Sequence, residues 1–240
     1  GVLGPDAGSA GARRSLGAGS LERLLGYHQK GAFMRSEVPD VFSADEARAY
    51  WDERHATAGS LQSGGHIRHS DAEAALLYAV RIARVAEALG QRVSPAHPLH
   101  LLDAGCGKGH FAKALAGFGF LVDGIDFSPS AIEYAAANAG PRESYAVPDL
   151  AAWTTPYLYD AVVSVDVLYH VMDDGTWEAI VRNLASLTRL GGRVLLVDHQ
   201  AEEDRTWSRY QRTRSVQRYR SLLESCGVEL RGFIPNGFAH

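Results

Sequence analysis

Residues Leu101 to Ser128 read LLDAGCGKGHFAKALAGFGFLVDGIDFS, and the order of features in this stretch decides the fold. His100, Leu101 and Leu102 run into Asp103 as a short apolar segment, the pattern of a buried parallel strand. Gly105, Gly107 and Gly109 then allow a sharp turn and leave no Cβ between the main chain and a ligand. From Lys108 to Gly117, Phe111, Ala112, Leu115 and Ala116 recur at helical spacing, so the free N–H groups of the helix start point back at the turn. Phe120 to Ile125 predicts a second strand delivering Asp126, an acceptor for both hydroxyls of a ribose. Strand, glycine turn, helix, strand and terminal acid form the unit with which α/β proteins receive an adenosine-bearing cofactor.

The glycine spacing narrows the cofactor. A dinucleotide fingerprint needs G-x-G-x-x-G, with the third glycine letting the helix approach the strand beneath a pyrophosphate. Here His110 stands at that third position, and the pattern is G-x-G-x-G preceded by Asp103. This resembles motif I of the class I S-adenosylmethionine (SAM)-dependent methyltransferases. The likeness continues along the chain. Ser128-Pro129-Ser130 opens a helix, with Ser128 as N-cap and Pro129 at its first position. Pro148-Asp149-Leu150 follows a strand over Tyr145 to Val147, Asp160 to Asp166 resembles the family's fourth strand, and Leu190 to Asp198 its fifth. The similarity covers roughly Leu99 to Gly232.

The resemblance implies a Rossmann-like α/β fold, a mostly parallel doubly wound sheet with helices on both faces and an N-terminal helical cap. It implies SAM as cofactor and S-adenosylhomocysteine (SAH) as product. Asp103, Ala104, Gly105, Cys106, Gly107 and Gly109 would form the glycine loop around it, with Asp126 on the ribose and Phe127 and Ser128 beside the adenine. Asp149 and Leu150 would lie near the adenine amino group, and Asp166 after the fourth strand. Trp51 and Arg54 match a W-D-x-R element that in several methyltransferase groups folds over the cofactor. Val228 to Phe233 is expected to form a sixth strand; for the family's antiparallel seventh strand, either the sequence stops before it or another segment fills the place.

Composition sets outer limits. The 240 residues suit one large domain with an appended cap, and 46% hydrophobic with 22% charged residues is ordinary for a globular protein. A formal net charge of -4 gives no general attraction to nucleic acid or anionic membrane, so neither is an expected partner. Two cysteines, Cys106 and Cys226, exclude a disulfide framework and a cysteine-rich zinc site. No apolar run is long enough to cross a bilayer, and the start lacks an apolar signal core, so a cytoplasmic location is expected. A homodimer stays open.

The chain divides into a flexible arm over residues 1–40, a helical cap or lid over 41–98, and a core over 99–240. Gly1 to Ser20 of the arm are rich in Gly, Ala and Ser, a composition that favours mobility. Ser43 and Glu46 form a capping box that starts a helix from Ala44 to about His55. Ser70 and Glu73 form another, followed by Tyr78, Ile82, Val85 and Leu89 on one face and Gly90 at the end; Arg81 and Arg84 are expected to face solvent. Between them, SLQSGGHIRH from Ser60 to His69 reads as a substrate-side flap carrying His66. Arginines from Arg205 to Arg220, interleaved with Trp207, Tyr210 and Tyr219, suit either an anionic, glycosylated or RNA ligand or snorkelling on an amphipathic segment.

For chemistry, methyl transfer needs in-line positioning of an attacking atom and, for a hydroxyl acceptor, a base. His170, just beyond the fourth strand in Asp166-Val167-Leu168-Tyr169-His170, is the first candidate base, and His199 at the end of the fifth strand is the second. Tyr169, His66 and Tyr210 are candidate substrate contacts. Asp166, His170, Asp198 and His199 offer donors to a divalent ion, but no metal ligand is assigned. The leading expectation is O-methylation of a small hydroxylated molecule, a sugar or glycosylated natural product. Transfer to nitrogen in a small amine or RNA is the alternative, although Asp166-Val167-Leu168-Tyr169 lacks the prolines of the [DN]-P-P-[YFW] segment; a non-catalytic SAM-binding subunit is another.

Overall fold

The computed structural model describes residues 40–59, 61–64, 69–90 and 97–234. The expected arm, Asp40 apart, and His66 lie outside these residues. Two helices come first, α1 (Ala44–Thr57) and α2 (Asp71–Leu89), each with the capping box that its sequence encodes. Gly90, at φ 75°, ends the second.

The sheet follows. Strands β1 (His100–Ala104), β2 (Leu121–Ile125), β3 (Glu143–Ala146), β4 (Tyr159–Val165) and β5 (Thr188–Val197) pair in the order β3-β2-β1-β4-β5, all parallel. Helices α3 (His110–Gly117), α4 (Pro129–Ala137) and α5 (Asp174–Ser186) connect them. The order places β2 and β3 to one side of β1 and β4 and β5 to the other, so the chain reverses direction between β1 and β4. At such a reversal the loops leaving the two strands diverge and open a crevice at the carboxyl ends, the place where open α/β sheets hold ligands.

Both faces of the sheet are covered, as the continuous apolar strands demand. Leu101, Val122, Ala161 and Val163 face α2 and α3, packing on Val85, Phe111 and Leu115. Leu102, Ile125 and Val162 face the opposite way, onto Trp177, Ile180 and Leu184 of α5 and Leu222 and Leu223 of α6 (Val216–Ser225). Neighbours in sequence thus serve opposite cores, the period-two rule of a strand buried on both sides.

Two features depart from the sequence-based expectation. Residues 228–234 form no strand: Val228 and Leu230 are half-buried, whereas Phe233 and Ile234 are exposed. Their short apolar alternation is interrupted by Gly232, and it does not pair with the sheet. In addition, β5 is followed by a two-stranded antiparallel hairpin, β6 (Arg205–Ser208) and β7 (Gln211–Thr213), within a segment read only as arginine-rich. Among the described residues no helix is long and apolar enough to cross a membrane.

Candidate active site

The glycine loop leaves β1 at the crevice. Gly105 sits at φ 80°, and a Cβ there would overlap the side chain of Val167 from the loop after β4, so only glycine allows the two loops to meet. Gly105 and Cys106 N–H groups both donate to the Ile125 carbonyl, at 2.8 and 3.0 Å, folding the loop onto the end of β2. Asp126 follows immediately. Its carboxylate accepts from the Gly107 N–H and the Ser128 N–H, each at 2.9 Å, and burial raises its pKa despite these donors. The acid is fixed in place while lone pairs remain free for further hydroxyl donors.

Helix α1 roofs the crevice. Asp52 accepts from Ser128 Oγ at 2.6 Å and from the Ser130 N–H at 2.9 Å, bonding the roof to the start of α4. Arg48 pairs with Asp149 at 3.0 Å and lies over the Phe127 ring, and Lys108 Nζ donates to the Ala58 carbonyl at 3.0 Å. Trp51, 9% exposed, meets the His170 ring edge-on at a centroid distance of 4.5 Å. Arg54 stacks on Trp51 and donates to the Gln62 carbonyl. The roof and loops enclose a cavity of about 450 Å³.

At the far end stands the loop after β4. Asp166 adopts φ 57°, a left-handed conformation that costs a non-glycine residue of order 1 kcal/mol and clusters at functional sites. Burial raises its pKa, while the paired Arg81 guanidinium of α2 and nearby His199 draw it down. His170 ends the 3-10 turn Leu168–His170. Its Nδ1 lies 2.7 Å from the Tyr210 carbonyl. A carbonyl oxygen only accepts, so Nδ1 carries the proton and Nε2 of the neutral ring is the basic nitrogen. Burial pushes the imidazole pKa down to about 4, with the Tyr210 hydrogen bond opposing that shift. Trp51 and Tyr210 flank this ring, Tyr210 stacked at 5.8 Å between centroids, and Tyr50 packs on both of them.

The arginine-rich segment proves structural. Arg212, Arg214 and Arg218 all pair with Asp174 at the start of α5, at 2.9 to 3.0 Å, and Arg218 also pairs with Glu178 and Asp204. These cations hold the hairpin and α6 against the site instead of presenting themselves to a polyanion.

Of the sequence-nominated residues, Trp51, Gly105, Cys106, Gly107, Asp126 and Phe127 line the cavity, as do Asp149, Leu150, Asp166 and His170. Asp103 has another place: it is 2% exposed, accepts from the Ala112 N–H at 3.0 Å, and its pKa is pushed up to about 7 by burial. Ala104 is buried with its carbonyl bonded to Ser164 Oγ, Gly109 starts α3, and Ser128 caps α4. Tyr169 packs between His170 and His199, at 4.2 and 4.7 Å, and His199 is exposed. Sequence reasoning passed over His55 and Tyr78, both on the cavity wall. His55 is 5% exposed with Nδ1 unpartnered, and burial, then Lys108 and Arg54, push its pKa down to about 4. Burial pushes the Tyr78 phenol up to about 12. A histidine one turn beyond Trp51 was the available signal. Among the described residues no group of three or more His, Cys, Asp and Glu is placed to hold a metal ion.

The cavity's donor set suits SAM. Asp126, buried and held by two main-chain N–H groups, offers acceptors for hydroxyl donors, Asp149 and Asp166 keep carboxylate oxygens on the wall beside their arginine partners, and Phe127 and Leu150 offer apolar surface for a purine.

Comparison with known proteins agrees. A family model described as a methyltransferase domain matches residues 77–225. Ubiquinone biosynthesis O-methyltransferase of Coxiella burnetii is 32% identical over 99 residues, 40% of this chain and 41% of that protein. The protein of the same name from Methylocella silvestris is 37% identical over 102 residues, 41% of this chain and 39% of its own. The chain thus spans about two-fifths of the length of these curated relatives. Among solved structures, magnesium protoporphyrin IX methyltransferase from Synechocystis PCC 6803 with bound SAH superposes with a TM-score of 0.55 at 21% identity, covering 77% of this chain and 89% of that one. N-methyltransferase NodS from Bradyrhizobium japonicum WM9, also with SAH, gives a TM-score of 0.50 at 19% identity, over 62% and 71% of the two chains. Because the methyltransferase-domain model matches residues 77–225, more than half of the chain, and the solved methyltransferases share its fold, the chain belongs to the class I SAM-dependent methyltransferases.

Proposed function

We propose that this protein transfers a methyl group from SAM to a hydroxyl of a small molecule, with His170 as the base. The arrangement that carries this reading is the hydrogen bond from His170 Nδ1 to the Tyr210 carbonyl. It leaves Nε2, on a ring lining the cavity, as the nitrogen able to take a proton. Bound SAM supplies an electrophilic methyl on a positively charged sulfur. Asp126 accepts from the ribose hydroxyls, the main chain from Gly105 to Gly107 faces the amino-acid tail, Phe127 and Leu150 flank the adenine, and Asp149 accepts from its amino group. Within the segment 41–98, α1 acts as the lid, with Trp51 and Arg54 closing over the cofactor, while α2 covers the sheet.

The acceptor sits toward His170, where Trp51, Phe42 and Tyr78 also line the cavity. A wall of rings favours an acceptor that itself carries a ring, so a hydroxylated ring compound or a glycosylated natural product fits better than an open-chain alcohol. The neutral state of His170 matters here, because a base already protonated at cellular pH could not accept the hydroxyl proton as the C–O bond forms. The O-methyltransferase name of the curated relatives supports oxygen as the acceptor atom. His199 is the second candidate base. A screen of hydroxylated ring compounds for release of SAH tests the reading. His170→Ala should lose about 10²-fold or more in kcat while retaining SAH affinity. Unchanged turnover would remove His170 from the chemistry.

A further inference from the structure

We propose that Arg214 is a positioning residue for His170, holding the turn that carries it so that the ring meets the Tyr210 carbonyl. The proposal rests on the reading of His170 as the base, and it concerns how that base is set.

Arg214 is the residue immediately after β7, and its side chain is fully enclosed. Nη1 donates to the Leu168 carbonyl at 3.4 Å and Nη2 to the Met172 carbonyl at 3.3 Å. These two carbonyls bracket His170 in the sequence. Nη2 and Nε also reach Asp174 Oδ1, at 3.0 and 3.3 Å, and Nη1 returns to the Arg212 carbonyl at 3.1 Å. One planar, five-donor group therefore ties both ends of the His170 loop to the hairpin and to the first residue of α5. Lysine cannot copy this, having a single tetrahedral donor centre.

The other grip on His170 comes from the same excursion. Tyr210, in the turn between β6 and β7, contributes the carbonyl that takes the Nδ1 proton, and the Arg214 side chain begins only four positions later. Backbone and ring of His170 are thus fixed by one hairpin, which is itself bonded to the cap: the Phe42 N–H donates to the Arg209 carbonyl at 2.9 Å and Arg209 Nε to the Asp40 carbonyl at 3.0 Å. If the loop relaxes, the 2.7 Å contact lengthens and nothing selects which ring nitrogen keeps the proton. A wholly buried arginine is costly to maintain unless its hydrogen bonds are nearly all satisfied, and here they are shared among Asp174, the hairpin and the two carbonyls of the loop that carries the base.

The test is ¹⁵N NMR of the histidine rings, with the His170 signals identified by their absence in His170→Gln. In the wild-type protein His170 should appear as one neutral tautomer, protonated at Nδ1, with an acid midpoint near 4. In Arg214→Lys and Arg214→Met it should become a mixture of tautomers, while SAH affinity measured by calorimetry is unchanged. An Nε2-protonated or mixed tautomer in the wild-type protein would overturn the proposal even if Arg214→Met fails to fold. So would a folded Arg214→Lys protein with the wild-type tautomer. Full turnover in His170→Ala would instead remove the chemical role of His170 and leave the tautomer result standing.

Discussion

Arg81 of α2 and Asp166 of the loop after β4 form an ion pair across 85 positions of sequence, at the point where the main chain is held left-handed. The pair joins the cap to the reactive end of the sheet. Asp166 is largely withdrawn from solvent, and the Arg81 guanidinium favours its charged form against the raising effect of burial. Replacing Arg81 by Met should destabilise the fold by about 2 kcal/mol, because a buried carboxylate is left unpaired. Asp166→Asn should cost less, since asparagine tolerates the left-handed region and carries no charge. The double variant should lose less than the sum of the two, as measured from urea midpoints. Strict additivity would show that the pair contributes no coupling.

Asp52 ties the roof to the cofactor side of the site through Ser128 and Ser130. Asp52→Ala removes two hydrogen bonds to a charged acceptor, together worth about 1 to 3 kcal/mol. SAH affinity should fall about tenfold or more, and amide exchange over α1 should rise while that of β1 and β4 does not. Equal affinity and unchanged exchange would mean that α1 is held independently of this residue.

Much of this was legible in the chain. The Ser128 cap and the two capping boxes are local signals, each spanning a handful of residues, and the structure forms them as their chemistry predicts; the glycine loop and Asp126 stand together at the ends of β1 and β2. What escaped depends on residues distant in sequence. Arg81 follows the pattern of a solvent-facing helix position, and only the fold brings Asp166 to it. Arg214 and Arg218 look like surface cations until Asp174 is placed beneath them. Asp103 carries a contact the sequence does not announce: one of its oxygens accepts from the Ala112 N–H of α3, tying the helix start to the end of β1. The hairpin over Arg205 to Thr213 was hidden because charged and aromatic residues alternate there without the apolar face that normally marks a strand.

Acid should weaken the fold through His170. In the unfolded chain the ring titrates near 6.5, in the folded protein near 4. Above pH 6.5 both states are neutral and the group adds no pH dependence. Between 6.5 and 4 only the unfolded chain takes the proton, so stability is lost as pH falls, on the order of 3 kcal/mol across the window. The comparison with His170→Gln isolates this share, because Asp103, held up to about 7 by burial, contributes the opposite slope in both proteins and cancels. Wild type should therefore approach or fall below the variant as pH drops from 7 to 5. In turnover, the acid limb should lie well below pH 6.5; a limb at 6.5 would place the essential base elsewhere.

The central claim is that Asp126 and the glycine loop hold the nucleoside of SAM. Calorimetric titration with SAH tests it most directly. The wild-type protein should bind one SAH per chain, and Asp126→Ala, which deletes the acceptor for the ribose hydroxyls, should weaken binding by about 2 to 3 kcal/mol, roughly 30- to 150-fold. No binding by the wild-type chain, or equal affinity in the variant, would contradict the account.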